Sequence, residues 1–331
     1  MTTAKVNRDI ILVARTYAVQ QLHNALSVPD VSTNDETIEF AVRLVINDLC
    51  FGETRDLKVH MDQIRNMTTS RGRLATVGST SPVLVKLALI VDLATAVALD
   101  TSPSFPGEEL SNYTELINRM TTPFGGGANP RGATSSSTGT PMDPSITAML
   151  KDIDFLLDTI LALPAEPSQW ELQKVQSMSD WVHGRLSGTK KISSSSSAAT
   201  KHLHRAVRLG ALVYCRSVQV RKPALQAVKE KEIVELVDAV WKVPLETWDC
   251  MLSTLVFILA VVMAAVRERQ QHSSTRTMVM AAAVQLAMTD WNTAANALCR
   301  VVRLQAWLRG SAQAERGAGL RFDSAYQNKG R

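Results

Sequence analysis

The sequence predicts an all-α fold. Three observations carry that prediction. Apolar residues recur at three- and four-residue spacing along most of the 331 residues. Aromatic residues make up only 5% of the chain while Ala, Leu and Val abound, a composition that favours packed helices over a β-sandwich. No two alternating apolar runs are joined by a hairpin turn. Typical helix and loop lengths then give about ten to twelve helices.

The elements follow in order. Within Thr37–Cys50, the residues Ile38, Ala41, Val42, Val45, Ile46 and Leu49 form one apolar helix face. Ser81 suits an N-cap and Pro82 the first helical position of an apolar segment that only Lys86 and Asp92 interrupt. Ile146, Met149, Leu150, Ile153, Leu157, Ile160 and Leu161 define the next face, which Pro164 ends. Ser168 and Glu171 stand at capping-box spacing ahead of another helix. Leu203, Ala206, Val207, Ala211, Tyr214 and Val218 mark the one after, followed by Ile233, Leu236, Val237, Val240 and Trp241. Past Pro244 comes Cys250–Val266, seventeen residues without a charge. Two further helices are expected, over residues 274–288 and 290–310, the second capped by Asp290.

As a single helix, Cys250–Val266 would span about 26 Å at about 1.5 Å per residue. That is short of the about 30 Å of a bilayer core. It also contains Ser253, Thr254 and three alanines. A helix apolar on all sides suits the centre of a large helical domain, and the amphipathic helices around it need such a centre. Two stretches break the helical pattern. Residues 121–144 are rich in Gly, Ser, Thr and Pro, and residues 187–200 set Lys190 and Lys191 beside a serine run; both read as disordered loops.

Composition narrows the function. The net charge of +5, from 36 basic and 31 acidic residues, is too mild to indicate nucleic acid by itself. Cys50, Cys215, Cys250 and Cys299 lie too far apart for a disulfide framework or a zinc site, and read as buried free thiols. Arg8, Asp9 and Arg15 interrupt the N-terminal apolar run, so no secretory signal is read there. No nucleophile elbow, phosphate loop or His-Glu-x-x-His zinc motif occurs. His202 and His204 diverge on a helix and make poor metal partners. From Arg267 to Arg331 ten basic residues face four acidic ones. Arg300, Arg303 and Arg309 are the candidates there for a phosphate-binding patch, with a solvated face as the simpler reading.

Several landmarks then fall into a recognisable order. The stretch "AVRLVINDLCFGETRDLKVHMDQIRNMTTSRGRLATV" carries a helix, a His-containing helix (His60, Met61, Ile64, Arg65, Met67) and an Arg71-Gly72 turn. An Asp92-bearing apolar helix follows, with Ala96 and a proline-rich exit at Pro103 and Pro106. Later come a small-residue helix before Tyr214 and a Trp241-x-x-Pro244-x-x-x-Trp248 lead into the central apolar stretch. An Asp290-Trp291 helix ending at Trp307-Leu308 closes the series. This order resembles the fungal-specific transcription factor domain, the large regulatory region that follows the zinc cluster in fungal regulators.

The resemblance covers most of residues 37–310 and makes Cys250–Val266 the family's buried helix. It implies a regulatory domain over 37–310, an N-terminal helical extension over 1–36 and a flexible basic tail over 311–331. It departs from the family in one respect. The usual DNA-binding module needs six clustered cysteines around two zinc ions, and this sequence has four scattered ones. The resemblance therefore implies a nuclear (alternatively cytoplasmic) regulator of a metabolic or secondary-metabolite gene set. It would act through other transcription regulators or the transcription machinery, as a homo- or heterodimer, with a small-molecule effector as a further partner. Direct DNA binding, a membrane, a metal, a cofactor and catalytic residues are not implied. The alternative is a small-molecule-binding protein or biosynthetic enzyme built on the same helices.

Overall fold

In the computed structural model, the described residues are 16–310 apart from 26, 29–32, 53, 73, 75, 78–80, 122–142, 165, 189–196, 250 and 267–272. Residues 16–25 are helical. Beyond them the described residues form fourteen α-helices and one 3-10 turn, with no strand. The helices are α1 (Asp35–Phe51), α2 (Leu57–Ser70), α3 (Pro82–Leu99), α4 (Gly107–Thr121), α5 (Pro144–Leu161), α6 (Gln169–Gly188) and α7 (Ala198–Val220). They continue as α8 (Ala224–Ala227), α9 (Glu230–Trp241), α10 (Leu245–Asp249), α11 (Leu252–Ala260), α12 (Met263–Val266), α13 (Ser273–Thr289) and α14 (Trp291–Leu308). The excess over ten to twelve comes from α8, α10 and α12, pieces of four or five residues that have no periodicity to detect.

Two helices act as hubs. Helix α3 packs against α1, α2, α11, α12, α13 and α14, and α7 packs against α5, α6, α8, α9 and α11. Helix α11 touches both hubs, and α5 meets α14 beside it. Along α3 every residue from Ala88 to Ala98 is buried, so it has no solvent face in its second half. Among the described residues it is the one helix long and apolar enough to cross a membrane, and 72% of it is buried inside the fold.

The Cys250–Val266 stretch is not one helix. It divides at Val261–Val262 into α11 and α12. There the bonding tightens to a three-residue step, with Val262 N–H donating to Leu259 O (3.1 Å) and Ala265 N–H to Val262 O (2.9 Å). Two adjacent β-branched residues weaken the helix at that point. With Val261 N–H turned to Leu259 O, the Phe257 carbonyl takes a different donor, the Tyr214 hydroxyl on α7 at 2.6 Å. The two rings stack with centroids 4.6 Å apart and planes 12° from parallel.

Local signals are met unevenly. Ser168 and Glu171 form the capping box, Ser168 N–H donating to Glu171 Oε2 (2.7 Å) and Glu171 N–H to Ser168 Oγ (3.3 Å). Asp290 caps α14 by accepting from Thr293 N–H at 3.1 Å. Ser81 precedes α3 but its side chain makes no capping bond, so Pro82 alone marks that start. The two segments read as loops lie largely outside the described residues. At their edges Thr121 closes α4, Ser187 and Gly188 close α6, and Ala198–Thr200 open α7.

The α7–α11 crossing is close because residue 210 has no side chain. A Cβ on Gly210 would lie 2.8 Å from the Ile258 Cβ. Gly184 on α6 has open space around it. Gly210→Ala is expected to destabilise the fold by about 1–3 kcal/mol through overpacking. Gly184→Ala should stabilise it by up to about 1 kcal/mol through helix propensity. Urea unfolding of both variants checks the opposite signs.

Candidate functional site

The landmark residues do not converge on one place; most tie a junction between elements. Arg71 ends α2 and pairs with Asp35 at the start of α1, while Gly72 takes φ +102° to turn the chain away. His60 on α2 sits with Nε2 3.9 Å from the buried Asp48 carboxylate of α1, and Arg65 is exposed. Asp92 is buried inside α3 and accepts from the backbone N–H groups of Ser104 (2.8 Å) and Phe105 (2.9 Å). Lys58 reaches the same segment, donating to Ser104 Oγ at 2.8 Å. The proline-rich exit is thereby fastened to α3.

The tryptophans divide by exposure. Trp291 is buried, donates to Thr114 Oγ1 at 3.1 Å and meets the Tyr113 ring edge-on at 5.4 Å. Trp248 is buried and donates to Val240 O at 3.3 Å. The exposed Pro244 opens α10, its carbonyl accepting from Thr247 and Trp248. Trp241 is half exposed. Trp307 lies under the Arg221 guanidinium, 5.0 Å from its ring centroid.

The three arginines considered for a phosphate patch are each engaged within the chain. Arg309 pairs with Asp100 at 3.3 Å, and Arg303 donates to Leu161 O at 2.9 Å. Arg300 donates to Asp154 Oδ1 (2.9 Å), Asp154 O (3.2 Å) and Asp158 Oδ1 (2.8 Å). Its Nε is buried with no acceptor.

Arg300 also lines a surface cleft of about 240 Å³ where α5, α11 and α14 meet. From α14 come Thr293, Asn296, Ala297 and Arg300, at spacing i, i+3, i+4 and i+7 and so on one face. From α11 come Ser253, Thr254 and Phe257, and from α5 Leu150 and Asp154, one turn apart. The lining offers hydroxyls, an amide and a guanidinium–carboxylate pair, and neither His nor Cys. Such a set binds by hydrogen bonds; it does not furnish a nucleophile with its base. Behind it Tyr214 has its hydroxyl pKa held well above the ordinary value, chiefly by burial, with Arg300 lowering and Asp154 raising it.

Sequence reasoning reached Arg300 through its charge and missed Asp154 and Asn296. Ser253 and Thr254 were visible as the polar residues inside the most apolar stretch. Among the described residues no cluster of three His, Cys, Asp or Glu side chains could hold a metal ion. Cys50, Cys215 and Cys299 are buried free thiols, and burial pushes those of Cys215 and Cys299 up to about 12.

The family model of the fungal specific transcription factor domain matches residues 4–290. No curated protein and no solved structure matches the chain. The match takes in residues 4–36, set apart above as an extension. It stops before α14, which nevertheless packs on α3, α11 and α13.

Burial pushes the Asp92 carboxyl up from 3.8 to about 6, against the lowering effect of the Phe105 and Ser104 N–H groups and the Lys58 charge. The folded protein holds this proton more tightly than the unfolded chain. Its contribution therefore favours folding most at low pH, declines as pH rises from 3.8 to about 6, and is level above. The whole change is worth about 3 kcal/mol. Asp92→Asn, with no proton to release, should lose that slope. Urea midpoints across the window would show it, and an unchanged slope in the variant would place the titration elsewhere.

Proposed function

The chain belongs to the fungal specific transcription factor domain family, and from that membership we propose a transcription-regulator-like protein that modulates a metabolic or secondary-metabolite gene set through protein contacts. The family match over residues 4–290 carries this reading. With four scattered cysteines, the six-cysteine zinc module does not lie within this sequence. DNA reading is therefore assigned to a partner regulator or to a segment outside these residues. The partners are other transcription regulators or the transcription machinery, and the place of action is the nucleus. The landmark residues support the fold on which such contacts are displayed; a shared fold does not itself fix the target genes.

A second reading rests on the cleft at α5, α11 and α14. Its hydrogen-bonding lining supports a small-molecule-binding role, as an effector site of the regulator or in a biosynthetic pathway.

Transcript profiling of a strain deleted for the gene distinguishes these readings. The regulator reading expects a coordinated rise or fall in a small gene set, restored by the reintroduced gene. Unchanged transcripts together with a lost or stalled metabolite would contradict it and favour binding or catalysis.

A further inference from the structure

We propose that the cleft between α5, α11 and α14 binds a small, uncharged, polyhydroxylated molecule of single-ring size. The inference deepens the effector-site reading and rests on it; the regulator reading stands on transcripts and can survive its failure.

Size sets the first limit. At about 240 Å³ the cleft is smaller than the about 300–1,000 Å³ typical of sites for drug-sized ligands. Charge sets the second. One guanidinium, Arg300, is held by two carboxylates, Asp154 at 2.9 Å and Asp158 at 2.8 Å. A phosphate or carboxylate drawn to Arg300 would be placed against both acids, and a cation drawn to the acids would meet Arg300. Within the lining itself Arg300 and Asp154 cancel, Asp158 lying outside it, so neither ion gains there and a neutral molecule is favoured.

The lining chemistry sets the third. The hydroxyls of Ser253 and Thr254 and the Asn296 amide can each donate and accept. Thr293 directs its hydroxyl proton to Asp290 Oδ2 at 2.6 Å, which leaves its oxygen to accept. Ligand hydroxyls, which also donate and accept, match this mixture. An apolar ligand would cover these groups without partners and lose affinity for it. Phe257 offers an apolar surface for the C–H face of a ring, its other face being covered by Tyr214.

The location gives binding a consequence. Helix α14 packs on the α3 hub, α5 packs on the α7 hub, and α11 touches both. A ligand in this cleft bridges the two helix groups. It therefore favours whichever arrangement of them closes on it.

The test is titration of the full chain, by calorimetry and by thermal shift, with D-glucose, D-xylose and myo-inositol, beside D-glucose 6-phosphate and L-glutamate as charged comparators. At least one neutral polyol should bind saturably and raise the melting temperature, with the charged compounds about tenfold weaker or worse. Asn296→Ala, at an exposed position, and the isosteric Thr254→Val should each weaken that binding about tenfold, the loss of one hydrogen bond. Should either variant melt early without ligand, Ser253→Ala takes its place. The proposal is overturned if no polyol binds, if a charged comparator binds as tightly, or if folded variants bind undiminished. In those cases a normal transcript response would leave the regulator reading intact.

Discussion

The second half of α3 has no face that water can wet, α11 has little beyond the Ser253–Thr254–Phe257 face of the cleft, and the remaining helices are arranged to cover them. Fully burying a Leu, Val or Ile side chain is worth about 1.5–3 kcal/mol. Leu89, Ile90, Val91, Leu93 and Val97 of α3 and Val256, Ile258 and Leu259 of α11 are all at most 2% exposed. Six helices surround α3 for this reason, and α11 can be covered only by contact with both hubs. The amphipathic faces of α1, α5, α7 and α14 are the complement of that demand. Exposing α3 would strip the core of its centre.

Inside such a core each polar group needs a partner. The landmark residues mostly meet that need at places where elements join. Asp92, within the buried run of α3, accepts two backbone N–H groups from the exit segment. Tyr214 fills the carbonyl left open where α11 stops. Trp291 ties the first turn of α14 to α4 through Thr114. Arg71 closes α2 onto α1. These contacts give the landmark residues a structural place in the fold. The cleft proposed as a binding site lies elsewhere, its walls ordinary helix surfaces brought together.

The helices were legible because amphipathic periodicity is a local property. The faces read from Ile38 to Leu49 and from Ile146 to Leu161 are those turned inward. The Asp290 cap and the Ser168–Glu171 box were legible for the same reason. The break at Val261–Val262 was not, since a run of β-branched residues inside an apolar stretch has the same pattern whether the helix continues or tightens. The cleft was still less visible. Arg300 meets Asp154 across 146 residues of chain, and neither residue is distinguished within its own helix. Arg300 stood out as one charge in a basic tail; its pairing with Asp154 and Asp158 is a tertiary fact.

Under the proposed function this helical core serves transcription through contacts with other proteins. Proximity labelling from a tagged full chain expressed at its native level tests it most directly, against the same tag expressed alone. Enrichment of nuclear transcription regulators or transcription machinery is the expected result. Enrichment confined to cytoplasmic metabolic enzymes, with no transcription protein above the control, would contradict it.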